Sequence, residues 1–229
     1  MKKILVVAAH PDDDILGCGG TLNKLRKSGA DIHVTFIAEG TTCRYDKCDI
    51  LTGEMQKEIL IRETSAKAAL NLLGIGEPSF HNLPCGRLDQ EPIIEINKII
   101  EKEIKQFQPD TIFTHSYKDA NSDHRRVVEA IIMATRPGAQ NFVEKVYSFE
   151  VLSTTEWRFT DSFRPNIFMR LDKDDVKKKT AAFEKYFSES KIFPFPRSTK
   201  GLETLMTMRG MQCGAESAEA FEVIREIVP

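Results

Sequence analysis

The chain has 229 residues, of which 41% are hydrophobic and 29% are charged, and its formal net charge is −2. This length allows one domain with a sizeable core, which needs neither a disulfide nor a metal merely to fold. A net charge so close to zero provides no basic field for phosphates, so we expect no nucleic-acid partner.

The N-terminal apolar run, residues 4–9, is too short for a signal peptide and ends in His-Pro-Asp-Asp-Asp without a cleavage site. No other segment approaches the length of a transmembrane span. The cysteines are odd in number and scattered, as is typical of reduced thiols in the cytoplasm: Cys18, Cys43, Cys48, Cys85 and Cys213. Cys43 and Cys48 lie in one loop, but no matching second pair supports a zinc knuckle. We therefore expect a cytoplasmic protein without an integral membrane segment.

Short apolar runs alternate with longer periodic segments through the first two-thirds of the chain. Strands are predicted at 3–9, 32–37, 78–82 and 111–114, and helices at 17–28, 54–73, 92–107 and 123–135. Gly29 and Gly74 are typical of helix C-termini, and Pro92 suits a first helical turn. The resulting order, βαβαβαβα, indicates an α/β protein with a parallel sheet and helices on both faces.

The last third of the chain is less regular. Its pattern predicts strands at 145–151 and 166–171, a lysine-rich helix at 173–189 and a loop at 193–198, followed by two short helices. We find no repeat, low-complexity segment or linker, so the sequence predicts a single domain over residues 1–229.

Two polar clusters follow predicted strands of the sheet. Residues 10–14 come after the first strand, and residues 115–124 begin where the strand at 111–114 ends. Ligands of open parallel sheets bind beyond the carboxyl ends of the strands, so we expect both clusters on one rim.

A nucleotide site is the first alternative for the N-terminal cluster, because Gly17, Gly19 and Gly20 follow it. A dinucleotide fingerprint places its first glycine directly at the strand end, whereas Gly17 lies seven residues beyond His10. The intervening carboxylates would repel phosphate, and no Gly-Lys-Ser/Thr sequence is present. The glycines are better explained by close packing of a helix on the sheet.

A metal site explains the same residues better. His10, Asp13 and His124 supply two imidazoles and one carboxylate, which is sufficient for catalytic zinc with a position open for water; Fe²⁺ suits the same donors. One anion among three ligands leaves the centre positive and favours deprotonation of water. Asp12, beside a ligand but directed elsewhere by the turn, is the candidate general base.

Simpler roles compete for several of these residues. Aspartates at the start of a helix are commonly caps, and we assign that role to Asp14; Asp123 could also be only an N-cap. His33 and His81 belong to neither of the two polar clusters, and we interpret them as structural.

Four segments resemble the signatures of the PIG-L/LmbE-like zinc-dependent de-N-acetylases. Residues 9–14 resemble "AHPDD", and residues 114–125 resemble "TH…D.N.DHR". Residues 62–74 resemble the helix "R..E...A...LG", and residues 209–221 resemble the closing "RG…AEAF". The resemblance spans nearly the whole chain and implies a Rossmann-like, mostly parallel α/β sheet.

The resemblance also implies roles for individual residues. Zinc is expected on His10, Asp13 and His124, with Asp12 as the base. Arg62 is expected to contact substrate, although a helical arginine is more often a solvated or ion-paired residue. Asp123 is counted with the catalytic residues, because it is expected to orient a neighbouring histidine or ligand.

Two positions depart from the family pattern. Asn121 stands where members carry the histidine suspected to protonate the leaving amine, and a neutral amide cannot donate that proton. We take His115 as the substitute acid, with Asp119 or protonated Asp12 behind it, and we count Asn121 and Asp119 with Arg62 as candidate substrate-binding residues. Phe195 replaces the histidine of a late His-Pro-Arg-Ser motif, which predicts an apolar pocket contact.

The sequence thus predicts a zinc hydrolase that removes acetate from a small N-acetylated amino sugar. A thiol precursor, a nucleotide-sugar and a lipid-linked sugar are all compatible. One alternative is a zinc amidase for a larger N-acyl group, and another is a non-catalytic sugar- or nucleotide-binding module. The intact set of ligands and base argues against the module, and the oligomeric state, including a homo-oligomer, stays open.

Overall fold

The structure, a computed structural model, describes residues 1–46, 52–138 and 142–228. The strands within them are β1 (Lys3–Ala8), β2 (Asp31–Ala38), β3 (Ser79–Leu83), β4 (Thr111–His115), β5 (Lys145–Phe149), β6 (Ile167–Arg170) and β7 (Ala218–Glu226). The helices are α1 (Asp13–Lys27), α2 (Gly53–Leu72), α3 (Ile93–Phe107), α4 (Ser122–Ala134), α5 (Lys173–Phe183) and α6 (Thr199–Cys213). Single 3₁₀ turns lie at Thr42–Arg44 and Thr155–Trp157.

The described strands form one sheet in the order β3-β2-β1-β4-β5-β7-β6. The first five strands of that order pair in parallel, and β7 pairs antiparallel with both β5 and β6. The predicted fold class, a mostly parallel Rossmann-like α/β sheet, is therefore confirmed.

Alternation along β1 explains why both faces of the sheet are covered. Ile4, Val6 and Ala8 enter one buried cluster, together with apolar side chains of α1, α2, α5 and α6. The intervening residues of β1 enter a second cluster with α3 and α4. Successive side chains of a strand point to opposite faces, so a continuous apolar strand requires helices on both sides.

The C-terminal prediction was wrong. Instead of two short helices, the chain ends in α6 and then β7, which lies between two other strands. Alanine and glutamate in residues 218–226 favour helix, but pairing on both edges overrides that weak local preference. The predicted lysine-rich helix is also shorter, since α5 ends at Phe183.

The glycines of α1 confirm the packing interpretation. A Cβ at Gly17 would lie 2.2 Å from Phe149 Cδ2, and one at Gly20 would lie 2.7 Å from Leu171 Cδ1. A buried ion pair contacts the same part of the helix. Lys179 Nζ lies 2.6 Å from Glu219 Oε1. Glu219 also accepts hydrogen bonds from the backbone N–H groups of residues 20 and 21. The α1 backbone therefore approaches the sheet and β7 more closely than side chains would allow.

The connections of β1 place a crevice at its carboxyl end. The chain leaves β1 for β2 and β3 on one side and returns to β4 on the other. Ligands of open α/β sheets bind at such switch points. No helix in the described part of the chain is both long and apolar enough to cross a bilayer.

Candidate metal centre

His10, Asp13 and His124 meet at the carboxyl ends of β1 and β4. His10 follows β1, Asp13 is the first residue of α1, and His124 lies in the first turn of α4. Asp13 Oδ2 is 3.2 Å from His10 Nδ1 and 3.3 Å from His124 Nε2. All three residues are buried. The structure thus brings together residues that lie more than a hundred positions apart in the sequence.

These donor atoms fit a metal ion. Ligands held about 2.0–2.1 Å from a tetrahedral zinc lie roughly 3.3–3.4 Å apart, close to the separations of Asp13 Oδ2 from both rings. His124 Nε2 is buried without a hydrogen-bond partner. Buried polar atoms seldom lack a partner, and a metal ion would satisfy this one. Two nitrogens and one carboxylate oxygen suit zinc and Fe²⁺.

Two carboxylates lie behind the histidines. Asp123 Oδ2 is 2.9 Å from His10 Nε2 and accepts from Gly86 N at 2.6 Å, while Leu88 N donates to Asp123 Oδ1 at 3.1 Å. A proton on His10 Nε2 leaves Nδ1 free to face Asp13. Asp119 Oδ2 lies 3.1 Å from His124 Nδ1. Such outer carboxylates orient metal-binding histidines.

The charges of the cluster favour a cation. Burial alone would lower the pKa of His10, but its bonds to Asp123 and Asp13 raise that pKa to about 10. Burial likewise opposes protonation of His124, whose pKa is raised to about 9 by Asp13 and Asp119. The cluster therefore stabilises positive charge, whether it is carried by protons or by a metal ion.

His115 does not fit the proton-donor role that we assigned to it. It is fully buried, its Nε2 accepts a hydrogen bond from Ala9 N at 2.7 Å, and its ring stacks on His124 with centroids 3.9 Å apart. Burial and the neighbouring His124 lower the pKa of His115 to about 3. A neutral ring whose Nε2 already accepts from the backbone is a structural support for His124.

Asp12 lies beside the cluster and is held by two arginines. Its Oδ1 is 3.2 Å from Arg62 Nη2, and its Oδ2 accepts from Arg197 Nη1 at 3.0 Å. Its φ of 121° is rare for a residue with a side chain, and such strain concentrates at functional sites. Burial raises the pKa of Asp12, and the two guanidinium groups limit the rise.

The sequence analysis missed Glu189, which completes this network. Glu189 is buried and lies 2.6 Å from Arg62 Nη1, 3.4 Å from Arg197 Nη1 and 2.7 Å from Arg44 Nη2. Burial opposes its ionisation, but Arg62 and Arg44 lower its pKa to about 2. No motif marks Glu189, and the pattern placed it at the end of a helix.

The predicted substrate-binding residues are largely committed elsewhere. Arg62 also donates from Nε to Pro11 O at 2.9 Å and is nearly inaccessible, so it positions Asp12. Asp119 is fully buried behind His124 and accepts from Thr155 Oγ1 at 2.5 Å. Asn121 caps α4, with Oδ1 accepting from Asp123 N at 2.9 Å, and remains half-buried. Of the three, only Asn121 has exposed surface to offer a substrate.

The sequence also predicted roles for Asp14, for His33 and His81, and for the loop that contains Cys48. Asp14 does not cap α1, because its buried carboxylate has no hydrogen-bond partner, and burial raises its pKa to about 7. His33 and His81 both hydrogen-bond Glu103, on the side of the sheet covered by α3. Cys48 lies outside the described residues.

Two exposed aromatic residues lie near the network. Trp157 and Phe195 are 49% and 41% exposed, and their rings meet edge to face with centroids 6.3 Å apart. Phe195 precedes Arg197, which contacts Asp12, and the turn that contains Trp157 is held to Asp119 through Thr155. Each residue of the aromatic pair thus lies in a segment that contacts the candidate metal centre, through Arg197 in one case and Thr155 in the other.

Comparison with known proteins gives a family match. The model of the GlcNAc-PI de-N-acetylase family, PIG-L, matches residues 5–135. Diacetylchitobiose deacetylase of Thermococcus kodakarensis is 24% identical over 233 residues, covering 98% of this chain and 84% of the relative.

Two solved structures share the fold. N,N'-diacetylchitobiose deacetylase from Pyrococcus horikoshii has a TM-score of 0.76 at 21% identity and covers 97% of this chain and 84% of its own. A 4-carboxy-2-hydroxymuconate hydratase from Pseudomonas putida has a TM-score of 0.74 at 22% identity and covers 100% of this chain and 98% of its own. Since a deacetylase and a hydratase both have this fold, the fold alone does not determine which reaction is catalysed.

Proposed function

The chain belongs to the PIG-L family, and we propose from this that it is a zinc-dependent hydrolase that removes the N-acetyl group from a GlcNAc-type amino sugar. The main support for the proposal is the cluster of His10, Asp13 and His124. Asp13 Oδ2 lies 3.2 Å from His10 Nδ1 and 3.3 Å from His124 Nε2. Asp12, which precedes Asp13 in the chain, is a buried carboxylate that pairs with Arg62 and Arg197.

His10, Asp13 and His124 are the proposed metal ligands. A bound zinc ion supplies Lewis acidity, which polarises a substrate carbonyl and acidifies water. Asp123 keeps the proton of His10 on Nε2, so that Nδ1 presents a lone pair towards Asp13. Fe²⁺ would be held by the same atoms.

Asp12 is the proposed general base. Arg62 and Arg197 fix its two carboxylate oxygens, so it accepts a proton from water without reorientation. Since His115 is buried and already hydrogen-bonded, Asp12 is also assigned the return of that proton to the leaving amine.

The aromatic pair suits a substrate in which the sugar carries an aromatic or apolar group. Trp157 and Phe195 leave large apolar faces exposed beside the arginine that holds Asp12. Exposed aromatic surface at the edge of a polar site favours stacking on a flat or apolar partner. An aromatic or apolar aglycone is therefore the proposed continuation of the substrate.

Metal analysis and turnover test the ligand set and the base. We expect about one zinc per chain, lost in His124→Ala and retained in the matched control His33→Ala, whose ring lies outside the cluster. Asp12→Asn should retain zinc but lower kcat about 10²- to 10⁴-fold. Full zinc content in His124→Ala, or near-normal turnover of Asp12→Asn, would contradict the assignment.

A substrate screen tests the reaction itself. Acetate release is measured from free GlcNAc, from GlcNAc glycosides with apolar and anionic aglycones, and from a matched glycoside with a larger N-acyl group. Trp157→Ala should raise KM for the apolar glycoside and leave free GlcNAc unchanged. Sugar binding without release of any acid would favour the non-catalytic module instead.

A further inference from the structure

Two cysteines outside the proposed mechanism lie next to the metal centre. Cys43 is exposed in the 3₁₀ turn after β2, and Cys85 is buried in the turn after β3. The two side chains interact, since Cys85, together with burial, raises the pKa of the Cys43 thiol well above its usual value. The two turns touch at this point, since a Cβ added at Gly86 would lie 2.8 Å from Cys43 Cβ.

One carboxylate holds both turns in place. Glu39 accepts from Cys85 N at 2.8 Å through Oε1 and from Thr42 N at 3.0 Å through Oε2, and the Thr42 hydroxyl also donates to it. Glu39 is 4% exposed, so these hydrogen bonds are shielded from water. The hydrogen bonds to Glu39 therefore fix both turns, and with them the positions of the two cysteines.

The turn that carries Cys85 also supports a candidate ligand. The sulfur of Cys85 lies within 4.8 Å of donor atoms of His10 and Asp123. The next residue, Gly86, donates its N–H to Asp123 Oδ2 at 2.6 Å, and that oxygen lies 2.9 Å from His10 Nε2. A displacement at Cys85 therefore reaches His10 through two hydrogen bonds.

We propose that Cys43 and Cys85 are a site of reversible oxidative modification, in which a peroxide closes them into a disulfide that loosens metal binding at His10. Peroxide transfers one oxygen to the exposed Cys43 thiol, giving a sulfenic acid and water; because Cys85 and burial raise the pKa of Cys43, this step is slow and needs excess peroxide. The Cys85 sulfur displaces that oxygen as a second water, so two thiols supply the two electrons that the peroxide accepts. A thiol or phosphine reductant restores both groups.

The effect on the metal follows from the distances. A disulfide brings the sulfur atoms to about 2.05 Å, well inside the contact distance of two thiols, so closing it pulls the turns of Cys43 and Cys85 together. Movement of the Cys85 turn would lengthen the adjacent hydrogen bond from Gly86 N to Asp123 Oδ2, which is 2.6 Å in the structure. Loss of an outer partner of a metal-binding histidine weakens metal affinity about 10- to 100-fold.

Stepwise peroxide treatment of the full-length zinc-loaded protein tests the proposal. Peptide mapping without reductant should find a Cys43–Cys85 crosslink, and a chromogenic zinc chelator should report zinc release at least about tenfold faster than before oxidation. Phosphine reduction should restore slow release. Cys48→Ser and Cys213→Ser are matched controls that should behave as wild type, whereas Cys43→Ser should form no crosslink and retain its zinc.

The inference about metal retention rests on the proposed metal centre, whereas the crosslink does not. A Cys43–Cys48 crosslink, oxidation of Cys43 to a sulfinic acid without a disulfide, or a Cys43–Cys85 disulfide with unchanged zinc release would each overturn the proposal. A reduced protein that holds zinc but releases no acetate would overturn the proposed reaction and leave the thiol site standing.

Discussion

Asp12, Asp13 and Asp14 are adjacent and chemically identical, yet each has a different environment. The carboxylate of Asp12, whose backbone φ is 121°, contacts Arg62 and Arg197. Burial opposes ionisation of Asp13, but His124 and the hydrogen bond from His10 keep its pKa well below the usual range. Burial raises the pKa of Asp14 to about 7. The surroundings, rather than the residue type, distinguish the proposed base, the proposed ligand and the buried carboxylate that follows them.

Arg62 is the residue on which the network around Asp12 most depends. Replacing it in Arg62→Met leaves two buried carboxylates, Asp12 and Glu189, short of a partner. Breaking a buried ion pair from one side costs about 3–5 kcal/mol of unfolding free energy, which urea denaturation measures.

Arg44→Met is the matched control for Arg62→Met. Arg44 also pairs with Glu189, but its side chain is 46% exposed, and exposed pairs contribute at most about 1 kcal/mol. Equal losses of stability in the two variants would contradict the importance of Arg62.

At the scale of elements, α1 packs closely against the sheet. Its glycines contact Phe149 of β5 and Leu171 after β6, and Glu219 of β7 accepts hydrogen bonds from its middle turn. The helix that begins with the proposed ligand Asp13 is thus held by residues in and beside β5, β6 and β7.

Gly17→Ala tests this packing. The added methyl would lie 2.2 Å from the Phe149 ring, so either the helix or the ring must move. Overpacking of this kind typically costs about 1–3 kcal/mol, measured as a lower urea midpoint. Gly53→Ala, where a Cβ meets nothing within 4 Å, is the control and should be neutral or slightly stabilising. A Gly17→Ala protein as stable as Gly53→Ala would refute close packing.

The predictable elements are those with a clear local pattern. Continuous apolar residues predict β1, and isoleucines at helical spacing predict α3, because local sequence decides which faces they bury. β7 was missed because its strand state comes from pairing with β5 and β6. Likewise, motif spacing predicts that His10 and His124 belong to one site, whereas the place of Glu189 depends on the arginines that the fold brings around it.

At the scale of the whole molecule, two pairs of histidines lie on separate parts of the sheet. His10 and His124 lie on the rim at the carboxyl ends of the strands, whereas His33 and His81 both hydrogen-bond Glu103 of α3. Burial opposes ionisation of Glu103, but its bonds to the two histidines lower its pKa from 4.5 to about 2. Glu103 therefore contributes to acid stability outside the proposed metal centre, in addition to Glu189 within it.

Glu103→Gln tests that dependence. A depressed pKa stabilises the folded state fully above the unfolded value of about 4.5, and this contribution is lost as pH falls towards 2. The difference in unfolding free energy between wild type and Glu103→Gln should be largest above pH 4.5 and should shrink at lower pH. Urea titrations at several pH values measure it, and a constant difference would contradict the assignment.

The insertion of β7 between β5 and β6 has a consequence for synthesis. Every proposed ligand is encoded within the first 124 residues and emerges early from the ribosome, but Lys179, Glu219 and the arginine that holds Asp12 from residue 197 emerge much later. The nascent chain carries an unsupported acidic turn until β7 inserts between β5 and β6. Metal capture is therefore expected only after β7 has left the ribosome, and a fragment cut at residue 135, where the family match stops, would contain the proposed ligands without the structure that assembles them.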